Sequence, residues 1–362
     1  MRGPAAACLT IVLSAIVAGT SGPAIAGKLT ALLDEFAGAD CLPDGPASVL
    51  FLQTSTETAA IACGTEREGG KRAQAHSRFL IASVSKLYLA VAILQLHEEG
   101  TLDIEDEVSR WLPSDVVQAY DGLDGITIAM LLTMTSGLPD YLDDAFFLSS
   151  VADAKAGLSD HDILTKAARS VAAEPRLFEP GTAFDYSNTN YLLAQLVLEN
   201  AAARPMNEIF KTRILAPAGL GATGLLGYDT PPSEFVQGFE DFGRGLEPVD
   251  AYLTGYGFGD GGLVSSAADV AAFYKALLID KTLLEQDTLE RLLDDPLGEG
   301  YGMGIELETQ PDLGAVFGHS GGDTGFSADI RYSSGKDAIV VYVSALADDD
   351  LSVTWELLEE LP

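Results

Sequence analysis

One stretch of the chain is apolar on every side, and it restricts the fold more than any other feature. Residues 83–97 carry hydrophobic side chains nearly all round a helical projection, and Glu98, Glu99 and Gly100 follow them. A glycine after the last turn often ends a helix. Because a helix that is apolar all round has no solvent face, this pattern predicts a helix buried in the centre of a large fold.

The regions near the two chain ends have β character, whereas the middle is helical. This order predicts an α/β (α+β) fold, in which both ends build one antiparallel sheet flanked by helices and a mainly helical domain is inserted. We place the α/β domain at residues 27–85 plus 255–362 and the helical domain at 86–254. The predicted strands are residues 47–52, 58–62, 315–317, 326–332 and 338–344, and the further helices are 29–37, 163–173, 191–203, 206–215, 269–278 and 350–361.

The first 26 residues have the features of a secretory signal peptide. Arg2 precedes an uncharged, mostly apolar run at residues 5–19, and Ala24-Ile25-Ala26 forms a small-x-small cleavage site. We expect cleavage after Ala26 and a periplasmic or secreted protein. The apolar run is too short to span a bilayer comfortably, so we expect no stable membrane anchor. The alternative is an N-terminal anchor that is never cleaved.

Export would leave Cys41 and Cys63 in an oxidising compartment. A disulfide between them is one interpretation, because the segments around them are predicted to lie at the edge of a hairpin. The alternative is two separately buried free thiols.

Charge and ligand spacing exclude several function classes. The chain has 54 acidic and 21 basic residues, which gives a formal net charge of −33. Such a surface repels nucleic-acid phosphates and anionic lipids, so neither is an expected partner. The sequence has no H-E-x-x-H motif and no Cys/His ligand spacing, so we expect no metal site.

Three serines lie in patterns that could provide a nucleophile. Ser320 lies in a literal G-x-S-x-G, but that arrangement needs a histidine further along the chain, and His319 is the last one. Ser333 and Lys336 form an S-x-x-K in a predicted turn, where the two side chains have no reason to converge.

The third pattern is Ser83-Val84-Ser85-Lys86, at the start of the central helix. Residues three apart share a helix face, so the Lys86 amine can reach the Ser83 hydroxyl. The helix N-terminus favours a developing oxyanion. A buried lysine can also serve as a neutral amine base. The alternative is an N-cap serine followed by a lysine in a salt bridge.

Several motifs, in order, resemble the serine β-lactamase and penicillin-binding protein superfamily. Residues 79–86 are similar to its first motif, Tyr186-Ser187-Asn188 to its Tyr-x-Asn motif, and His319-Ser320-Gly321 to the third motif in its His-x-Gly form. Residues 131–138 and 261–266 match connecting blocks, although Met134 stands where many relatives have histidine. The resemblance is strongest to the class C-like branch of D-alanyl-D-alanine carboxypeptidases, D-aminopeptidases and related esterases.

The resemblance implies a β-lactamase/transpeptidase-like fold with the site between its two parts. Ser83 would be the acylated nucleophile, Lys86 and Tyr186 would handle its proton, and Asn188 would orient Lys86 or the substrate. The backbone N–H groups of Ser83 and Gly322 would form the oxyanion hole.

The third motif implies substrate contacts by His319, Ser320, Gly321 and Gly322. Because histidine is mostly neutral at pH 7, His319 should attract a substrate carboxylate less than the lysine of the usual Lys-Thr-Gly. The implied function is D-alanyl-D-alanine carboxypeptidase-like or esterase-like hydrolysis of a small-molecule or peptide substrate, without a cofactor. The alternatives are a β-lactamase and a sensor that binds penicillin or wall fragments without turnover.

Overall fold

The largest sheet joins strands from the two ends of the described chain. The computed structural model describes residues 32–33, 43–253 and 257–361. Its strands are β1 (Ser48–Thr54), β2 (Thr58–Cys63), β3 (Phe79–Leu80), β4 (Gly224–Leu225), β5 (Phe239–Asp241), β6 (Leu246–Pro248), β7 (Leu263–Ser265), β8 (Glu306–Gln310), β9 (Gly314–Asp323), β10 (Phe326–Ser333) and β11 (Ala338–Ser344). Six of them pair antiparallel in the order β2-β1-β11-β10-β9-β8. The predicted two-ended antiparallel sheet is therefore confirmed.

Two smaller groups of strands were not predicted from the sequence. One is a three-stranded sheet in the order β3-β7-β4, and the other is the β5–β6 hairpin. Strand β9 is also longer than the predicted residues 315–317, because it continues through the His319-Ser320-Gly321 motif. The domain boundaries at residues 85 and 255 stay a prediction. The predicted signal peptide, Cys41 and most of the predicted helix at 29–37 lie outside the described residues.

The α-helices of five or more residues are α1 (Ser85–Glu98), α2 (Ser114–Ala119), α3 (Ile128–Leu132), α4 (Asp144–Lys155), α5 (Asp160–Ser170), α6 (Thr189–Ala202), α7 (Met206–Phe210), α8 (Ala267–Tyr274), α9 (Gln286–Leu292) and α10 (Val353–Glu360). Two of them, α8 and α10, pack on the two faces of the large sheet. On β11, Ile339, Val341 and Val343 face the main core. Alternate positions such as Val340 pack on Leu357 of α10 in a second core, as expected for a strand covered on both faces.

The central helix is the predicted apolar one, and its start differs from the prediction. Ala82–Val84 forms a 3₁₀ turn and α1 begins at Ser85. The N-cap of α1 is Val84, and no side chain caps it. The N-cap role considered for Ser83 is therefore wrong. Every residue from Ser85 to Leu94 is buried, and α1 packs on α6 and α7.

In the described part of the chain, each helix is too short or too polar to cross a bilayer. No group of three or more His, Cys, Asp or Glu side chains within these ranges could hold a metal ion. Cys63 is disulfide-bonded. Its predicted pairing with Cys41 stays a prediction.

Candidate active site

Ser83 lies in a strained turn between β3 and α1. The preceding residue, Ala82, has a φ of 46°, which is rare for a residue with a Cβ. Such a conformation costs about 1–3 kcal/mol and persists only where the surroundings hold it. Here the backbone N–H of Ile81 donates to Leu263 O at 2.9 Å, which fixes the turn to β7. The turn leaves Ser83 half-buried, at the edge of two cavities.

The Lys86 ammonium nitrogen lies beside the Ser83 hydroxyl, and its side chain is fully buried. Lys86 Nζ is 2.8 Å from Ser83 Oγ, 2.9 Å from Asn188 Oδ1 and 2.6 Å from the backbone oxygen of Asp260. The last two atoms are pure acceptors, so each takes one N–H of Lys86. A neutral amine then has its lone pair directed at Ser83 Oγ, which is the arrangement a general base needs.

Asn188 is held by Asp140, a residue that the sequence analysis did not single out. Asn188 Nδ2 donates to Asp140 Oδ2 at 2.9 Å, and its backbone N–H donates to Asp140 Oδ1 at 3.1 Å. Because a carboxylate only accepts, the Asn188 amide must direct its oxygen toward Lys86. The Asp140 segment is itself attached to α6, since Tyr141 N donates to Thr189 Oγ1. The amide orientation is therefore set before substrate binds.

Asp260 supports the other acceptor of Lys86. Its carboxyl group is buried and accepts a 2.7 Å hydrogen bond from the Tyr141 hydroxyl. Burial raises the pKa of the Asp260 carboxyl, and the nearby charge of Lys86 opposes this effect. Neither Asp260 nor Tyr141 carries a sequence signal, because each matters only through its place beside Lys86.

Tyr186 covers Lys86 on the cleft side. Its ring centroid is 5.1 Å from Lys86 Nζ, and the residue is 37% exposed. The ring also meets Tyr301 edge-on, with centroids 6.1 Å apart. This exposure leaves Tyr186 accessible to a bound substrate, as its predicted role in proton transfer requires.

Strand β9 forms the opposite wall of the cleft, and a glycine allows its close approach. A Cβ on Gly321 would lie 2.8 Å from Ile81 O and 3.0 Å from Ser83 N. Both are backbone atoms, so a side chain there would push β9 away from Ser83. The next residue, Gly322, has open space around its Cβ position and lines both cavities with Ser83. The structure thus brings Ser83, Gly321 and Gly322 together.

His319 is on β9, and both of its ring nitrogens have hydrogen-bond partners within the protein. Its side chain is 2% exposed. Its Nε2 lies 3.0 Å from the Tyr301 hydroxyl and its Nδ1 lies 2.5 Å from Ser320 O. These partners assign the proton to Nδ1 and leave Nε2 as the acceptor from Tyr301. Burial lowers the pKa of His319 to about 4, although Glu306 nearby opposes this effect. His319 is therefore neutral at pH 7.

A buried ion-pair network holds β9 from behind. Glu306 accepts hydrogen bonds from Ser320 N and Oγ, both at 3.1 Å, and Arg331 Nη1 donates to it at 2.5 Å. Arg331 also binds both oxygens of Asp329, at 2.6 and 3.0 Å. Burial would raise the pKa of Glu306, but the charges of Arg331 and of His319, which is protonated only below about pH 4, bring it down to about 2. This network makes Ser320 a positioning residue for β9.

Met134, which stands where many relatives have histidine, packs beneath the site. It is fully buried with a φ of 59°, and its Sδ is 3.3 Å from Asn190 Nδ2, which donates to it. Asn190 is on α6, close to Asn188 in sequence. Met134 therefore contributes packing under the second motif and does not face the cleft.

The two cavities meet at Ser83. The smaller, about 580 Å³, contains Tyr186, His319 and Ser320. The larger, about 700 Å³, contains Asn188 and Asp260 and has an aromatic wall. A volume of this size suits a small molecule or a short peptide segment.

The chain is similar in sequence to several known proteins. A sequence profile described as "Beta-lactamase" matches residues 47–360. "Penicillin-binding protein 4*" of Bacillus subtilis (strain 168) is 31% identical over 299 residues, which are 76% of this chain and 62% of that protein. A "D-aminopeptidase" of Cereibacter sphaeroides (strain ATCC 17023) is 28% identical over 274 residues, 74% of this chain and 50% of that protein. The chain thus spans only half to three-fifths of the length of these relatives.

Solved structures share the fold. The crystal structure of a penicillin-binding protein from Bacillus halodurans has a TM-score of 0.76 and 24% identity, covering 92% of this chain and 99% of that one. A D-amino acid amidase from Ochrobactrum anthropi SV3 has a TM-score of 0.72 and 21% identity, covering 92% of this chain and 95% of that one. At these identities the likeness concerns the fold alone.

Proposed function

Since the chain belongs to the β-lactamase family, we propose that it is a serine hydrolase that acts through a covalent acyl-enzyme on Ser83. One observation carries the proposal. Lys86 Nζ lies 2.8 Å from Ser83 Oγ, with its remaining hydrogens taken by Asn188 and the Asp260 backbone. A serine hydroxyl becomes a useful nucleophile only when a base lies within this distance.

The first half of the reaction forms the acyl-enzyme. Ser83 Oγ gives its proton to neutral Lys86 and bonds to the substrate carbonyl carbon, whose π electrons move onto the oxygen. The N–H groups of Ser83 and Gly322 would bind this oxyanion. When the carbonyl re-forms, the bond to the leaving nitrogen or oxygen breaks, and the leaving group takes the proton, with Tyr186 as the relay from Lys86.

The second half restores the enzyme. A water molecule gives a proton to Lys86 and attacks the acyl carbon. The bond to Ser83 Oγ then breaks, the acid product departs, and Oγ recovers a proton from Lys86. No cofactor is needed, because every proton moves between Ser83, Lys86, Tyr186, water and the leaving group.

The proposed substrates are amides or esters of small molecules or short peptides. D-alanyl peptides of the cell-wall type and small esters are the two classes that the motifs favour. The names of the relatives, a penicillin-binding protein and a D-aminopeptidase, support this range.

An active-site probe tests the proposal directly. We expect a fluorophosphonate or a fluorescent penicillin to label the peptide that contains Ser83, as mapped by mass spectrometry. Ser83→Ala should lose the label and all hydrolysis of p-nitrophenyl esters. Ser334→Ala, an exposed serine in the turn after β10, should keep both. Full turnover by Ser83→Ala would refute the proposal. Reversible ligand binding without turnover of D-alanyl peptides, amides, esters or nitrocefin would instead favour a sensor.

We also propose that the protein is exported. The disulfide at Cys63 supports this proposal, since disulfides persist in oxidising compartments. Expression of the full chain in a host with a secretory pathway should give a periplasmic or secreted protein that begins at Gly27. A mature cytoplasmic protein with Met1 retained would refute it.

A further inference from the structure

The carboxyl group of Asp260 is buried beside Lys86 but takes no part in the acylation step. The residue is 8% exposed, and its backbone oxygen, rather than its carboxyl group, accepts the 2.6 Å hydrogen bond from Lys86 Nζ. A residue without an acidic side chain would supply the same backbone oxygen. Because burying a carboxylate is unfavourable unless donors compensate it, the side chain needs an explanation of its own.

The two carboxyl oxygens of Asp260 have more acceptor sites than donors. The Tyr141 hydroxyl donates to Oδ2 at 2.7 Å, and the backbone N–H of Asp260 itself donates to the carboxyl group. A carboxylate has about four acceptor sites, and within the described ranges no other group donates to this one. Burial raises the pKa of the Asp260 carboxyl, whereas the charge of Lys86 and the two donors oppose this rise. The carboxylate can therefore accept a hydrogen bond from a water molecule.

Asp260 also lies where a bound water molecule could reach an ester on Ser83. Asp260 and Ser83 line the same larger cavity. The next residue, Gly261, lies against the Ser83 turn, since a Cβ there would be 3.7 Å from the backbone of Ala82. A water molecule held inside a protein needs at least two polar partners. The Asp260 carboxylate and the neutral Lys86 amine would provide one acceptor for each of its O–H groups.

We propose that the Asp260 carboxylate holds the water molecule that hydrolyses the Ser83 acyl-enzyme, which makes Asp260 a further catalytic residue. This inference rests on the proposed serine hydrolase function and assigns a group to its second half. The water oxygen bonds to the acyl carbon, whose π electrons move onto the carbonyl oxygen, and one water proton moves to Lys86. The other O–H stays intact and donates to Asp260, which fixes the direction of attack. When the carbonyl re-forms, the bond to Ser83 Oγ breaks, and Oγ takes the proton from Lys86.

Asp260→Asn separates the two halves of the reaction. The variant keeps the backbone oxygen that binds Lys86, so acylation should change less than about twofold. Its amide oxygen still accepts from Tyr141, and its NH₂ group cannot accept from water. Deacylation should therefore slow by about 10- to 100-fold, as expected for loss of a hydrogen bond to a charged acceptor. Asp287→Asn makes the same chemical change at an exposed residue of α9 and should alter neither rate.

Single-turnover reactions with enzyme in excess over p-nitrophenyl acetate measure the two rates separately. Release of p-nitrophenolate gives the acylation rate, and the mass of the acetyl-enzyme after rapid quenching gives the deacylation rate. Unchanged deacylation in Asp260→Asn, or equal slowing of both steps, would overturn the inference.

A second nucleophile tests whether the defect concerns water itself. Hydroxylamine attacks esters without help from a base, so it should discharge the acetyl-enzymes of wild type and Asp260→Asn at similar rates. If hydroxylamine is slowed as much as water, the variant has disturbed the ester or its oxyanion site, and the inference is overturned.

Tyr141→Phe provides a second variant, which serves if Asp260→Asn does not fold. It removes the donor that holds the Asp260 carboxylate and leaves the charge in place. Deacylation should slow by about three- to tenfold, the value of a single neutral hydrogen bond, and acylation should change less. Circular dichroism checks that each variant is folded. A folded Tyr141→Phe with wild-type deacylation would count against Asp260 as the group that holds water.

Fluorophosphonate labelling separates failure of this inference from failure of the proposed function. If Ser83 is labelled and Asp260→Asn deacylates at the wild-type rate, only the role of Asp260 fails. If Ser83 is not labelled and no variant forms an acetyl-enzyme, both fail.

Discussion

Asp140 provides the sharpest test of the site, because it is exposed yet orients the amide of half-buried Asn188. Its Oδ2 accepts from Asn188 Nδ2 at 2.9 Å, and its Oδ1 accepts from the backbone N–H groups of Asn188 and Leu142 at 3.1 and 3.2 Å. Replacing one oxygen by an NH₂ group in Asp140→Asn sets donor against donor in either orientation. If the new NH₂ takes the place of Oδ1, it repels the two backbone N–H groups. If it takes the place of Oδ2, it turns the Asn188 amide so that the Asn188 NH₂ faces Lys86.

The size of the expected decrease in the acylation rate follows from the hydrogen bonds lost. A hydrogen bond to a charged acceptor contributes about 1.5–3 kcal/mol. If that energy holds the Asn188 oxygen toward Lys86, acylation of Ser83 should slow by about 10- to 100-fold in Asp140→Asn. The free energy of unfolding should change much less, because Asp140 lies at the surface.

Stopped-flow measurement of the p-nitrophenyl acetate burst gives the acylation rate, and thermal unfolding by circular dichroism checks stability. Asp121→Asn makes the same chemical change at another exposed aspartate and should leave both values unchanged. An unchanged acylation rate in Asp140→Asn would show that the Asn188 orientation does not limit Lys86.

Three further predictions concern β9 and the residues behind it. Gly321→Ala should destabilise the fold by about 2 kcal/mol and abolish hydrolysis, because the new Cβ meets backbone, whereas Gly322→Ala should keep the melting temperature. The folded pKa of His319, about 4, is below the unfolded value of about 6.5, so the unfolded state binds the proton first as pH falls from 6.5 to 4. Between those pH values, the free energy of unfolding should fall by up to about 3 kcal/mol more in wild type than in His319→Gln, as measured by unfolding titrations. Equal decreases in the two proteins would contradict burial of neutral His319 as the cause. Arg331→Leu should cost about 3–5 kcal/mol in urea unfolding, since it leaves the buried Asp329 carboxylate and the partly exposed Glu306 carboxylate without their arginine, whereas exposed Arg244→Leu should cost less than about 1 kcal/mol.

Local patterns in the sequence were sufficient to predict much of the fold. The apolar run that forms α1 is stable only when it is buried, and the alternating apolar and polar residues of β10 and the short apolar run of β11 are typical of strands. Strand β8 was missed because its residues, Glu306 to Gln310, are half exposed and carry little apolar signal. The β3-β7-β4 sheet was missed because strands of two or three residues exist only through their partners.

In the candidate site too, contacts between residues close in sequence could be predicted and contacts between distant residues could not. Ser83 and Lys86 are three apart in sequence, so local geometry alone could predict their contact. Asp140, by contrast, reaches Asn188 across 48 residues, and Tyr301 reaches His319 from a loop before β8. Predicting these contacts requires the folded chain. His319 is an example: its motif predicts a substrate contact, which stays a prediction, and only the folded chain shows that His319 is buried and hydrogen-bonded to Tyr301.

The distance along the chain between Ser83 and β9 has a consequence for when the proposed active site is complete. The β9 wall of the cleft is synthesised long after Ser83, and it must pair with β10 and lie against the Ser83 turn before the proposed oxyanion site exists. Contacts between segments so far apart form late in folding. A nascent or unfolded chain therefore carries the proposed nucleophile without the oxyanion site, and the proposed hydrolase becomes competent only when its large sheet is complete.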